Sequence, residues 1–303
     1  MIFRNLVFSS VLVGIVSGVV LALVQQVAVT PTIIAAEQFE VAHEATVVLA
    51  PIVIEQSAHS HDHASAHASA DHHGHQDSLL APHNEHAHHA QLTEQPTAQS
   101  NNHGGSDHHH DPDAWAPEDG FERLFFTSIS NVLAGMGFGL LILAAMTYLG
   151  KASILSGLLW GVAGYLTFFV APTLGLHPEI PGMEAANLQG RQGWWLTTVA
   201  LTGAGLGLIA FAHISLKIAG VVLLVIPHVL GAPLPPLVDG AAGASHFSHP
   251  DPQAVIALEA LAADFLQATA IANGVFWLVL GVSCGYVINK FNIINSTQEP
   301  AKN

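Results

Sequence analysis

Histidines are concentrated in one stretch of this chain, between residues 59 and 110. The stretch carries 15 of the 21 histidines, namely His59, His61, His63, His67, His72, His73, His75, His83, His86, His88, His89, His103, His108, His109 and His110. Neutral imidazole binds Zn²⁺, Cu²⁺, Ni²⁺ and Co²⁺, and many imidazoles among scattered carboxylates form interchangeable sites. The pattern indicates capture of a divalent transition metal. The alternative is a solvated low-complexity linker with incidental metal affinity.

The composition of this histidine tract also bears on its order. Its His, Ala, Ser and Asp residues include too few apolar side chains to offset chain entropy, so we expect disorder in the absence of metal. The affinity order of such ligands favours Cu²⁺ over Ni²⁺ and Ni²⁺ over Co²⁺. The tract by itself therefore does not single out one metal.

Metal binding by the tract is expected to weaken in acid. Protonated imidazole cannot coordinate a metal, so affinity should fall as the pH drops through about 6.5. Titration of the isolated 59–110 peptide with metal at about pH 7.5 and about pH 5 measures this effect. Equal affinities at the two values would show that imidazole is not the ligand.

The bulk composition is that of a membrane protein. Half of the 303 residues are hydrophobic, 10% are charged and the mean hydropathy is +0.45, whereas soluble domains carry about 25% charged residues. A net charge of −15 with only seven basic residues excludes a phosphate-binding surface for nucleic acid. The single cysteine, Cys284, excludes an intrachain disulfide and a thiolate-rich metal site.

Six apolar runs predict an all-α membrane protein with a six-helix transmembrane bundle. They cover residues 6–29, 124–149, 152–174, 194–212, 218–231 and 268–289. The first run has 24 residues without a charge, which is enough to span the hydrocarbon core. A cleaved signal peptide is the alternative for that run.

The runs divide the chain into four parts. We expect an N-terminal transmembrane helix over 1–29, an external loop over 30–123 that contains the histidine tract, a five-helix bundle over 124–290 and a cytoplasmic tail over 291–303. If helix 1 continues outward, Glu37, Glu40, His43 and Glu44 lie on one of its faces.

The basic residues predict the orientation in the bacterial cytoplasmic membrane. With the N-terminus inside, five of them are cytoplasmic and only two, Arg123 and Arg191, are external. The cytoplasmic five are Arg4, Lys151, Lys217, Lys290 and Lys302. Both termini are then cytoplasmic and the histidine tract is external.

Ionisable residues near the predicted outer helix ends are candidates for a metal path. His228 lies inside the fifth run directly after Pro227, which removes a helix hydrogen-bond donor. Glu118, Asp119 and Glu122 precede the second run, and His177 and Glu179 follow the third. Carboxylates beside imidazoles suit an exchangeable divalent-metal site. The alternatives are an interfacial histidine and solvated helix-end charges, with Arg123 or Arg191 paired to some of the acids.

Glycines recur at spacings that suit close helix packing. Three pairs are four residues apart, at Gly14 and Gly18, Gly157 and Gly161, and Gly281 and Gly285.

The sequence contains no motif of a common enzyme class. It has no P-loop motif, no H-E-x-x-H motif and no arrangement that suggests a hydrolytic triad. We therefore expect a protein that is not an enzyme and that has no tightly bound cofactor.

Several ordered motifs resemble the CbtA family of probable cobalt transporter subunits. They are VQQ at 24–26, WAPEDGFER at 115–123, GLLWGVAGY at 157–165, APTLGLHPEIPGM at 171–183, RQGWW at 191–195, PHVLGAP at 227–233 and FW at 276–277. The resemblance implies a five-helix protein that acts with a small partner, CbtB, which has one membrane helix and its own histidines. It also implies a link to cobalt and cobalamin synthesis.

Together these features predict a membrane transporter subunit that takes up a divalent transition metal, with Co²⁺ as the first choice. A nickel, zinc or copper transporter is the alternative of the same class. A non-transporting membrane metal sensor or storage protein is the alternative of another class.

Overall fold

A computed structural model describes residues 2–49, 117–118, 120–150, 152–235 and 246–291 of the chain. The histidine tract and Asp119 lie outside these described residues, as does the whole segment from 50 to 116. In the described part the secondary structure is helical and no strand occurs. The helices are α1 (Ile2–Ala28), α2 (Thr30–Leu49), α3 (Phe121–Tyr148), α4 (Ile154–Tyr165), α5 (Ala171–Thr173), α6 (Leu188–Phe211), α7 (Ile214–Leu230) and α8 (Pro252–Lys290), with a π-helical turn at Leu166–Val170 between α4 and α5.

Five helical segments in the described ranges are long and apolar enough to cross a membrane. They are α1, α3, the continuous segment Ile154–Thr173, α6 and α8. The predicted fifth run forms α7, which has 17 residues and is therefore about 26 Å long. Helix α7 is separate from α6, but it is shorter than each of the five segments named above. The chain is a multi-pass membrane protein with five candidate spans among the described residues, and the predicted count of six is not confirmed because α7 is shorter.

Residues 30–49, which we assigned to the external loop, form helix α2. The helix is interrupted at Val29, between α1 and α2. Pro31 contributes no backbone N–H to this turn, and the Thr32 hydroxyl donates a hydrogen bond to the Val29 carbonyl at 2.7 Å. The first helix thus continues as α2 after a one-residue interruption, and Glu37 and Glu40 lie on this continuation.

Side-chain caps explain where several helices begin. Ser153 accepts a hydrogen bond from the Ser156 N–H at the start of α4, and Asn187 caps α6 in the same way. The Asp251 carboxylate caps α8, where Pro252 fits the first turn. Helix α8 therefore begins well before the sixth apolar run and continues through it as one 39-residue helix.

Close backbone contacts hold α1, α3, α4 and α8 together. A Cβ atom on Gly157 or Gly161 would collide with the backbone of α8, and a Cβ atom on Gly18 would lie 2.5 Å from Val132 of α3. Beside these contacts, the side chains of Leu143, Leu280 and Ile288 are fully buried. The packing role expected for the paired glycines is confirmed, because small residues let helix backbones approach in lipid.

Helices α6 and α7 form a hairpin that packs chiefly on itself. A Cβ atom on Gly205 would lie 2.7 Å from the Gly220 carbonyl oxygen, so the two backbones nearly touch. The hairpin joins the other helices mainly through α5 and the π-helical turn. Between the hairpin and α4 lies an apolar groove of about 690 Å³ lined by Phe138, Trp160, Phe168, Gly203, Phe211 and Trp277, among others.

Candidate functional site

The ends of several helices meet at one end of the bundle, which we call the mouth end. Arg123 of α3 contacts Glu37 of α2, and the loop after α5 meets the segment before α8 through a bridge between Met183 and Phe247. Ile180 and Phe247 are buried in the same core as Leu258 of α8. The mouth end therefore has a packed cap, built from α2, the first half of α8 and two loops.

Glu179 is engaged in an ion pair at the mouth end. Its carboxylate accepts a hydrogen bond from the Arg191 guanidinium at 2.6 Å, and both side chains are partly buried. Burial raises the pKa of the Glu179 carboxyl above its ordinary value, and the positive charge of Arg191 offsets part of that rise. A proton thus competes for this carboxylate at a higher pH than for a fully exposed glutamate.

His228 lies in the last turn of α7 and is half-buried. Its imidazole meets the indole of Trp194 edge to face, with the ring centroids 6.2 Å apart. The Trp194 indole N–H donates to the Pro227 carbonyl at 3.3 Å. Trp194 therefore fixes both the orientation of the imidazole and the end of α7 against the start of α6.

The remaining candidates have different surroundings. His177 is exposed, and it is not part of the ion pair that Glu179 makes. The Glu122 carboxylate accepts a hydrogen bond from the Glu118 backbone N–H at 3.0 Å, so it stabilises the first turn of α3. Both glutamates are exposed.

The candidates do not form a ready-made metal site. Among the residues described, no group of three or more His, Cys, Asp or Glu side chains could hold a metal ion. Instead, the Glu179 carboxylate is engaged with Arg191 and the Glu122 carboxylate with the start of α3. An ion that enters here must displace such a partner or keep part of its water shell.

Sequence reasoning missed a polar pair between α1 and α3. The Asn131 amide donates to the Gln25 side-chain oxygen at 2.6 Å. Next to this pair is a small pocket of about 140 Å³ whose polar lining is supplied by Gln25, Gln26, Thr30, Arg123 and Thr127. The motif at 24–26 was the available signal, since two adjacent amides at the end of an apolar run are unusual.

The apolar groove is an unsuitable metal route. Its lining contains no ionisable side chain, and its polar members are Ser153, Ser156 and Thr167. The candidate cation ligands therefore lie at the mouth end rather than in this apolar groove.

Comparison with known protein families gives a match over nearly the whole chain. The model of the CbtA family, described as a probable cobalt transporter subunit, matches residues 3–289. The chain belongs to this family. Comparisons with curated proteins and with solved structures found no match. The description places the chain among transporter subunits rather than in an enzyme class, and the word subunit implies that it works in a complex.

The motifs that carried the family resemblance meet in space. Gly175 packs against Trp194, because a Cβ atom at Gly175 would collide with the indole, and Trp194 in turn contacts Pro227 and His228. In a second contact, Gly164 of α4 packs against the Trp277 ring of α8. The first cluster builds the mouth end of the CbtA chain, and the second builds its helix core.

Proposed function

We propose that the chain is the membrane-spanning subunit for uptake of Co²⁺ across the bacterial cytoplasmic membrane, with α7 as the sixth span and both termini inside. The family match carries this proposal. The transported metal is the substrate, and a small single-helix CbtB-type subunit is the proposed partner. The histidine tract, from His59 to His110, acts as an external antechamber that raises the local metal concentration.

In this proposal the metal passes the mouth end by exchange of partners. Arg191 occupies the Glu179 carboxylate until a divalent cation replaces it. His177 and the acids Glu118, Asp119 and Glu122 surround the route, and the His228 imidazole receives the ion next. Because single-carboxylate or single-imidazole contacts are weak, the ion moves on rather than being stored.

An inward membrane potential favours this direction of transport. It contributes about 2.3 kcal/mol per elementary charge for each 100 mV, and a divalent cation gains about twice that amount. The positive charges of Arg123 and Arg191 repel an entering cation only weakly, because each arginine is paired with a glutamate.

Deletion of residues 59–110 is expected to raise the metal concentration needed for half-maximal uptake and to leave the maximal rate nearly unchanged. A collecting loop changes the local metal supply but not the passage through the bundle. The measurement is uptake of radioactive Co²⁺ into cells lacking the native chain, with Ni²⁺, Zn²⁺ and Cu²⁺ as competitors.

The outcomes separate the alternatives. Loss of uptake at saturating metal on deletion of the tract would refute its collecting role. Stronger uptake of another metal than of Co²⁺ would change the substrate. Unchanged initial uptake in cells without the whole chain would favour a sensor or storage protein over a transporter.

A further inference from the structure

One stripe of α6 faces α7 along the hairpin. It consists of Trp194, Thr198, Thr202 and Gly205, whose spacings of four, four and three residues place them on one helix face. The two ends of the stripe contact α7 directly, through the hydrogen bond from Trp194 to the Pro227 carbonyl and through the close approach of Gly205 to Gly220. The two threonines between them therefore lie opposite the segment between Gly220 and Pro227.

The hydroxyls of these two threonines lack hydrogen bonds. Thr198 is 0% exposed and Thr202 is 3% exposed, and within the described part of the chain neither Oγ1 atom has a partner. Other membrane threonines donate to the carbonyl four residues earlier, as Thr147 and Thr197 do at 2.7 and 2.8 Å. Burying an unpaired hydroxyl in an apolar interior costs free energy, and a ligand bound to these two oxygens would offset that cost.

A third oxygen lies at the same level of the hairpin. Pro227 has no backbone N–H, so the Leu223 carbonyl lacks its usual donor in the helix. Leu223 is one turn before Pro227 and, by the register that Trp194 and Gly205 set, lies opposite Thr198 and Thr202. The register of the hairpin thus places two hydroxyls of α6 and one backbone carbonyl of α7 at neighbouring levels.

We propose that these three oxygens bind a partly dehydrated monovalent cation, Na⁺, that keeps water in its remaining coordination positions and enters together with the transported metal. The set is neutral and consists of hard oxygen atoms, whereas a transition-metal dication is better served by imidazole and carboxylate. Carbonyls released where a membrane helix is interrupted are a common site for coupling cations. The proposal rests on the transport function above and supplies its driving ion.

The test uses the full chain purified and reconstituted into lipid vesicles, with its partner subunit where that is required. Co²⁺ uptake is measured at a clamped membrane potential with an inward gradient of Na⁺ or of K⁺. Na⁺ should stimulate uptake several-fold, and ²²Na⁺ should enter together with the metal. Thr198→Val and Thr202→Val should each raise the half-saturating Na⁺ concentration about tenfold or more, because each loses one oxygen ligand.

Thr197→Val is the matched control. Thr197 is the adjacent residue on α6, but its side chain is exposed and its hydroxyl is already paired with the Gly193 carbonyl. This variant should keep the Na⁺ dependence of the unmodified chain. Thr198→Ser and Thr202→Ser retain a hydroxyl and should preserve Na⁺ dependence, which a merely steric role for the γ-methyl group would not explain.

Direct binding separates this site from the transport function. Equilibrium binding of ²²Na⁺ to the purified chain without Co²⁺ should saturate, and Thr198→Val should weaken it. Co²⁺ uptake with neither Na⁺ stimulation nor Na⁺ binding would overturn the site while leaving the transport function intact. Na⁺ binding that Thr198→Val weakens, in a chain that moves no Co²⁺, would support the site and refute the transport function.

Discussion

His228→Ala is expected to lower the maximal rate of Co²⁺ uptake by about 10-fold to 100-fold. Losses of this size are typical when a residue that supports a metal site is removed. The imidazole is the ionisable side chain that α7 contributes to the mouth end, and among the described residues no cluster of three or more His, Cys, Asp or Glu side chains offers the ion an alternative site. Initial uptake rates over a range of Co²⁺ concentrations measure the effect. The loss should persist at saturating metal, because the imidazole acts in passage and not in collection.

His213→Ala provides the comparison. His213 is also a histidine at an end of α7, but it precedes the first turn, is exposed and lies at the opposite end of the helix from Trp194. Uptake by this variant should match that of the unmodified chain. An unchanged maximal rate in His228→Ala, with protein present in the membrane at normal levels, would remove His228 from the proposed path.

Gly157→Ala is expected to destabilise the folded chain strongly. The added methyl group would collide with the Gly281 carbonyl and lie 2.7 Å from the Gly285 nitrogen, so α4 and α8 would have to separate. Overpacking a well-packed interior costs about 1–3 kcal/mol, and a clash with backbone leaves less room for relief than a clash with side chains. Thermal unfolding of the purified chain in detergent should show a midpoint lower by several degrees.

Gly137→Ala is the matched control for that substitution. Gly137 is also a mid-helix glycine in a membrane span, but a Cβ atom there has nothing within 4 Å. Alanine favours a helix over glycine by about 1 kcal/mol, so this variant should be as stable as the unmodified chain or slightly more stable. Equal unfolding midpoints for Gly157→Ala and Gly137→Ala would contradict the tight α4–α8 contact.

Most of the helices were predictable because their signal is local. Long apolar runs located α1, α3, the segment from 154 to 173, α6 and α8. The glycine spacing likewise predicted close helix packing. It did not show which of the alternating glycines of α3, at 135, 137 and 139, would contact another helix. Gly135 and Gly139 face α1 or α8 while Gly137 is open, since only the three-dimensional arrangement decides which helix face meets a neighbour.

The mouth end was predicted less completely. The sequence indicated Glu179 and His228 as candidates, and it left open whether Arg191 would pair with one of the acids. The structure pairs Arg191 with Glu179 across a loop and pairs Arg123 with Glu37, which is 86 positions away in the chain. Such partners cannot be read from spacing, because they depend on how helices distant in sequence are brought together.

Two properties of this protein therefore have different origins. Composition and hydropathy alone determined a membrane protein with a histidine-rich tract, because lipid burial requires long apolar helices, and they led us to expect metal binding by that tract. Tertiary structure alone decided that Glu37 and Glu179 are held by arginines and that Trp194 orients His228. It also decided that Thr198 and Thr202 face α7 without partners, because the contacts with Pro227 and Gly220 set the register of the hairpin.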